Sequence, residues 1–184
     1  MKQIIQVSII CLLLGNILFA QSNISIGIGG NVAIPVGGLG DVASTGFGGG
    51  AILAYGVNQQ LMITGSGQYL MFGAKDDVVG VDWTIIPVLV GTRYYFNSNF
   101  YSFAEIGMNF WSTTVKIPAV IIGGVTISPE SEVSASDSDF GFAIGGGYEL
   151  PVGTSGSVDI SVKYQQYASS TNAINLGVAY KFKI

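Results

Sequence analysis

The chain alternates up to its end. Leu176, Val178, Tyr180 and Phe182 are interleaved with Gly177, Ala179, Lys181 and Lys183. In a β-strand successive side chains point to opposite faces, so this segment carries one apolar row ending in aromatics and one row of small and charged residues. The same period of two recurs in eight segments bounded by turn residues. Ile24, Ile26, Ile28, Val32 and Ile34 form the apolar row of the first; Phe47, Leu53, Tyr55 and Val57 that of the second; Leu61, Ile63, Tyr69 and Met71 that of the third. Ile86, Val88, Val90, Tyr94 and Phe96 continue it, then Ile106, Met108 and Phe110, then Phe140, Phe142, Ile144, Tyr148 and Leu150, and in the seventh Val158, Ile160, Val162 and Tyr164. Two architectures accept such strands. A soluble sheet turns the apolar face to a core, and a membrane barrel turns it to lipid and the polar face to its lumen.

Composition separates them. Charged residues make up 10% of the chain and 27 of its 184 residues are glycine, against usual values of roughly 25% charged and about 7% glycine. No apolar run after residue 20 is long enough for a membrane helix, so lipid is met by strands, each of ten or more residues. The length suits one domain.

The first twenty residues stand apart. Lys2 gives a positive start, residues 4–14 are mostly apolar, and Leu18-Phe19-Ala20 precede Gln21 as a cleavage site would. Residues 1–20 are therefore expected to be a cleaved signal peptide and residues 21–184 the mature domain. The single cysteine, Cys11, falls inside the leader, which leaves the mature chain without disulfide, thiol nucleophile or thiolate metal site. Loss of Lys2 leaves six basic and eleven acidic residues, a net charge of −5 that gives nucleic-acid binding no electrostatic support.

Connections carry a second pattern. Those after the second, fourth and sixth segments are short, and those after the first, third, fifth and seventh are expected to be longer, with the longest spanning residues 112–138. Short turns at one end and long loops at the other characterise outer-membrane barrels. With its leader, its "IIPVLVGTRYYF" and "FYSFAEIGM" strands and its aromatic end "VAYKF", the chain resembles the small bacterial outer-membrane β-barrel family of the eight-stranded OmpA/OmpX type. The resemblance covers essentially all of the mature chain. It implies an all-β, eight-stranded antiparallel up-and-down transmembrane barrel in the outer membrane of a gram-negative-type cell, with short periplasmic turns and longer extracellular loops. It also implies outer-membrane lipid and the barrel-assembly machinery as partners, no cofactor and no catalysis. The chain departs from many members in ending on Ile184; Tyr180, Phe182 and Ile184 together are the expected insertion signal.

The assigned faces place Arg93, Glu105, Glu149, Asp159, Lys163, Lys181 and Lys183 in the lumen, where buried charge must be paired or hydrated. A lumenal ion-pair network is expected, with Arg93 diagonally near Glu105 and with Asp159 and Lys163 near the lysines of the last strand. It reads either as a gate or as a plug, and an eight-stranded interior is just wide enough for side chains to fill. Aromatic girdles are expected from Tyr55, Tyr94, Phe96, Tyr148, Tyr180 and Phe182 at one interface and from Tyr69, Phe110, Phe140 and Phe142 at the other.

Chemistry finds little footing. The sequence has no histidine, which removes Ser-His hydrolases, and no spacing unites two carboxylates in a catalytic pair. Acidic residues gather in the external segments, at Asp41, Asp76, Asp77, Asp82, Glu130, Glu132, Asp137 and Asp139, without the spacing of a calcium loop, so no metal is expected. One external stretch, "KIPAVIIGGVTISPE", is apolar, and a hairpin that extends the fifth and sixth strands above the membrane and turns at Gly123-Gly124 is expected there. It serves either as an exposed edge for a surface partner or as a cap on the barrel. The expected role is structural or adhesion-type, through the external loops; a narrow channel and a soluble ligand-binding barrel are the alternatives.

Overall fold

A computed structural model describes residues 23–75, 81–117, 120–122, 125–128, 131–154 and 156–184. The expected leader over residues 1–20, the acids Asp76, Asp77 and Glu130 and the turn at Gly123-Gly124 lie outside the described residues. The elements run β1 (Ile24–Gly37), α1 (Gly38–Val42), β2 (Gly46–Gly56), β3 (Leu61–Gly73), β4 (Val81–Tyr95), β5 (Phe100–Ile117), β6 (Val120–Ile122), β7 (Val125–Ser128), β8 (Ser131–Val152), β9 (Gly156–Ala168) and β10 (Thr171–Lys183).

Eight of the strands close into an antiparallel barrel in the order β1-β10-β9-β8-β5-β4-β3-β2. The alternating C-terminal stretch is the closing strand: β10 pairs with β1 from Ser25↔Lys183 to Gly37↔Thr171. Closure gives every strand within the wall a partner on both sides, which a backbone surrounded by hydrocarbon requires. Pro87 leaves one local lapse. It has no N–H to donate, and the β3–β4 ladder omits the pairs between Gly67↔Val88 and Leu70↔Ile85 without changing register.

The expected faces hold on all eight strands. Ile28, Val90, Ile144 and Val178 point away from the barrel with more than half of their surface exposed, and on the same strands Ser25, Arg93, Ala143 and Lys181 are buried. A soluble ligand-binding barrel would need the opposite arrangement, so this outward apolar surface is inconsistent with that alternative.

Two expectations about the connections are corrected. That between β9 and β10 is the two-residue turn Ser169-Ser170, because Gln166↔Asn172 and Ala168↔Thr171 extend the ladder into what had been assigned to a loop. Residues 112–138 are not one long loop either: β5 and β8 stay paired from Phe100↔Tyr148 out to Ile117↔Ser131. Only beyond that point do β6 and β7 form a separate two-stranded antiparallel sheet, with Ile122↔Val125 flanking the expected turn.

At the same end Gly37, at φ 63°, turns the chain from β1 into α1, a left-handed conformation that a residue with a Cβ adopts only at a cost. That turn folds Leu39 inward until it is buried. Lys75 Nζ donates to the Gly40 carbonyl and Ser44 Oγ to the Gly73 carbonyl, fastening the α1 segment to the end of β3.

Candidate functional site

Three layers fill the lumen. At the end with the short turns, Lys181 Nζ lies 2.6 Å from Glu149 Oε2. The same carboxylate accepts from Tyr95 Oη at 2.7 Å and from Ser157 Oγ at 2.6 Å. Lys183, expected in the lumen with Lys181, holds the last inward position of β10 and is exposed at this mouth, where it lines the same pockets as Glu149.

The middle layer centres on Arg93. Its partner is Asp159, with Nη1 to Oδ2 at 2.5 Å, and not Glu105, the neighbour expected from the β4–β5 hairpin. Register does put Arg93 diagonal to Glu105, with Arg93 opposite Phe103 and Glu105 opposite Gly91, but the guanidinium reaches past it to Asp159 on β9. Tyr101 donates to the other Asp159 oxygen, and its ring lies under the guanidinium at 4.3 Å. Glu105 accepts from Thr64 Oγ1 at 3.3 Å and Ser66 Oγ at 3.4 Å. Lys163, buried at 6% exposure, faces a small polar cavity of about 60 Å³ with Arg93, Glu105 and Asp159. That volume suits a few waters, and Arg93 Nε and Gln68 Oε1, from two residues of its lining, have no partner in the protein. Its opposite wall is backbone. A Cβ at Gly29 would stand 2.2 Å from the Val178 carbonyl oxygen, so glycine there admits the approach of β10 and leaves room for the long charged side chains.

Above these polar layers the interior turns apolar. Leu39, Leu70, Phe72, Ile85 and Tyr167 are buried together, with Trp83 and Trp111 packed against them. Tyr167 meets Phe72 and Trp111 edge to face at 6.3 and 6.1 Å. It also donates to Asn175, while Asn109 Nδ2 donates to the Tyr167 carbonyl. The alternation predicts a polar lumen, and this apolar stopper departs from it. The signal was present in parity: Leu70 and Phe72 share the face of Thr64 and Ser66, and Trp111 shares that of Glu105 and Asn109.

The expected girdle residues point outward. Tyr55, Tyr94, Phe96, Tyr180 and Phe182 are exposed near the short turns and Tyr148 is half-buried beside Phe100, their rings 4.5 Å apart. Tyr69, Phe110, Phe140 and Phe142 are exposed toward the other end, where Phe47 joins them. Beyond Phe110 and Phe140 the outward positions change character to Ser112, Thr114, Ser134, Ser136 and Ser138, which marks where the apolar belt stops.

A closed eight-stranded barrel with an apolar outside and a filled, partly charged inside is a membrane-spanning barrel. Residues 8–182 match the outer membrane protein beta-barrel domain, and the chain belongs to that family. Among solved structures it is similar to Ail, the attachment invasion locus protein of Yersinia pestis, at TM-score 0.62 and 14% identity, over 89% of this chain and all of that one. A second structure of Ail, in complex with the heparin analogue sucrose octasulfate, superimposes at TM-score 0.61 and 14% identity over 88% of this chain and 97% of that one. Neisserial surface protein A superimposes at TM-score 0.57 and 15% identity over 89% of this chain and 98% of that one. A search of curated protein sequences returns no significant match. The structural likenesses show the fold, and membership of the family sets the chain in the outer membrane. In the usual orientation of such barrels, the end with the β2–β3, β4–β5 and β8–β9 turns faces the periplasm, and the end with α1, the Ser169-Ser170 turn and the β5–β8 extension faces outward.

Proposed function

We propose that this barrel works at the cell surface by presenting the β5–β8 ribbon to a partner, with residues 1–20 directing export and the barrel-assembly machinery inserting the domain. One observation carries the reading. On the β9 side, pairing of β8 begins only at Phe142↔Gln166, and among the described residues no strand pairs with 131–141 on that side.

Residues 131–138 are all exposed, and the ribbon beyond Trp111 is about 20 Å long at the usual rise per residue. Open N–H and C=O groups along such an edge are a template for strand addition, which gives affinity through the backbone and selectivity through alternate side chains. Here alternate side chains differ by face: Ser134, Ser136 and Ser138 on the outer one, Val115 and Val133 on the inner one. The layered lumen favours this over a channel, since a stopper of Leu70, Phe72 and Tyr167 leaves the exterior as the working surface.

The test replaces residues 113–135 by a short turn and compares whole cells displaying either form for adherence to host cells and matrix proteins, after showing equal amounts of inserted barrel. Adherence by the full chain and its loss in the shortened form is expected. Equal adherence of the two forms, or none by the full chain, overturns the reading.

A further inference from the structure

Where β8 parts from β9, a shallow open cleft of about 490 Å³ lies at the mouth of the barrel. Trp83 and Trp111 line one side, Asp137 and Asp139 another, with Leu39 of α1 and the β9–β10 turn around them. We propose that this cleft binds an organic ammonium or guanidinium group.

Aromatic faces together with carboxylates are the pairing that such a cation seeks, through the ring quadrupole and the charge at once. Asp137 and Asp139 lie two apart on one strand, hence on one face and both toward the cleft. Asp139 is half-buried, and no ion pair of either acid occurs among the described residues. Two like charges this close disfavour one another, and a bound cation relieves that repulsion. Among the described residues no basic side chain lines the cleft. Lys75, the basic side chain described nearest this end, is held at the Gly40 carbonyl.

An independent observation lies just below. Asn109, the register partner of Asp139, is completely buried, and its Oδ1 accepts no hydrogen bond. Trp111 Nε1, on the cleft wall, is a buried donor without an acceptor, so what draws the cation is the two carboxylates together with the ring faces. The tryptophan rings are fixed in place, Trp111 by its edge-to-face contact with Tyr167, so the cleft exists before any ligand arrives.

This inference does not depend on strand addition to the ribbon. The cation has two sources, a free polyamine or the lysine or arginine side chain of a polypeptide. Trp83 and Trp111 are the only tryptophans of the chain, so intrinsic fluorescence reports the cleft alone. The refolded full barrel in lipid nanodiscs is titrated at fixed ionic strength with spermidine, with its neutral triacetylated form, and with an extended lysine-containing peptide.

Saturable binding by spermidine or by the peptide is expected, weakened about tenfold or more in Asp137→Asn/Asp139→Asn and unchanged in Glu132→Gln, whose acid lies on the opposite face. Saturation by spermidine names the free amine as sufficient; saturation by the peptide alone names the side chain. Triacetylspermidine needs no variant and must fail to bind wild type. Equal binding of charged and acetylated forms, equal affinity in the Asn variant, or no saturation by either cation overturns the proposal.

Discussion

Replacing Arg93 by methionine leaves the Asp159 carboxyl group, 3% exposed, without its cation and with the Tyr101 hydroxyl as its remaining hydrogen-bond partner. At 2.5 Å the pair attracts by about 7 kcal/mol for an effective dielectric of about 20, before desolvation is subtracted. Breaking one side of a buried pair costs about 3–5 kcal/mol, whereas replacing both sides with apolar groups of similar volume is often neutral. Arg93→Met is therefore expected to destabilise the barrel by about 3–5 kcal/mol, and Arg93→Met/Asp159→Leu to recover most of that loss. Equilibrium unfolding in urea, in lipid vesicles and followed by tryptophan fluorescence, measures both. A cost below about 1 kcal/mol for the single variant, or a double variant no more stable than the single, would refute the reasoning that the middle layer is a tightly coupled buried pair.

Other outcomes follow from the same layers. Val178→Arg, on the lipid face midway along β10, is expected to cost about 2–4 kcal/mol of insertion stability, while Ser136→Arg on the ribbon costs nothing measurable in the same refolding assay. Phe72→Ala opens the apolar stopper and is expected to lose about 3–5 kcal/mol in urea unfolding, with full recovery of native gel mobility after refolding.

Where the sequence could be read, it was read through parity. A dyad pattern fixes which face each residue occupies as soon as one residue is placed, so the lipid face from Ile28 to Val178 and the inward charges Arg93, Glu105 and Asp159 were visible before any fold was known. Parity says nothing about reach across the lumen. The choice of Asp159 over Glu105 by Arg93 depends on the stagger between β4 and β9, which no local pattern encodes.

Turn residues misled at two places. Ser169-Ser170 lies in a polar stretch that resembles a loop, yet the barrel continues its ladder through Asn172 and Ala173 because both neighbouring strands are already in place. The serine-rich stretch 131–138 has weak strand propensity and reads as a loop; its partner β5 holds it extended, hydroxyl against hydroxyl at Thr114 and Ser134. The aromatic stopper escaped because apolar residues on the inward face were not expected in a polar lumen, although Trp83, Trp111 and Tyr167 all occupy inward positions.

The central claim is that the lumen is closed and the work is done outside, and single-channel recording tests it most directly. Wild-type protein shown to be inserted in a planar bilayer is expected to give no steady conductance, and a Leu70→Ala/Phe72→Ala variant to give rare, small openings. Sustained conductance through the wild type would contradict the closed lumen and make transport the function to pursue.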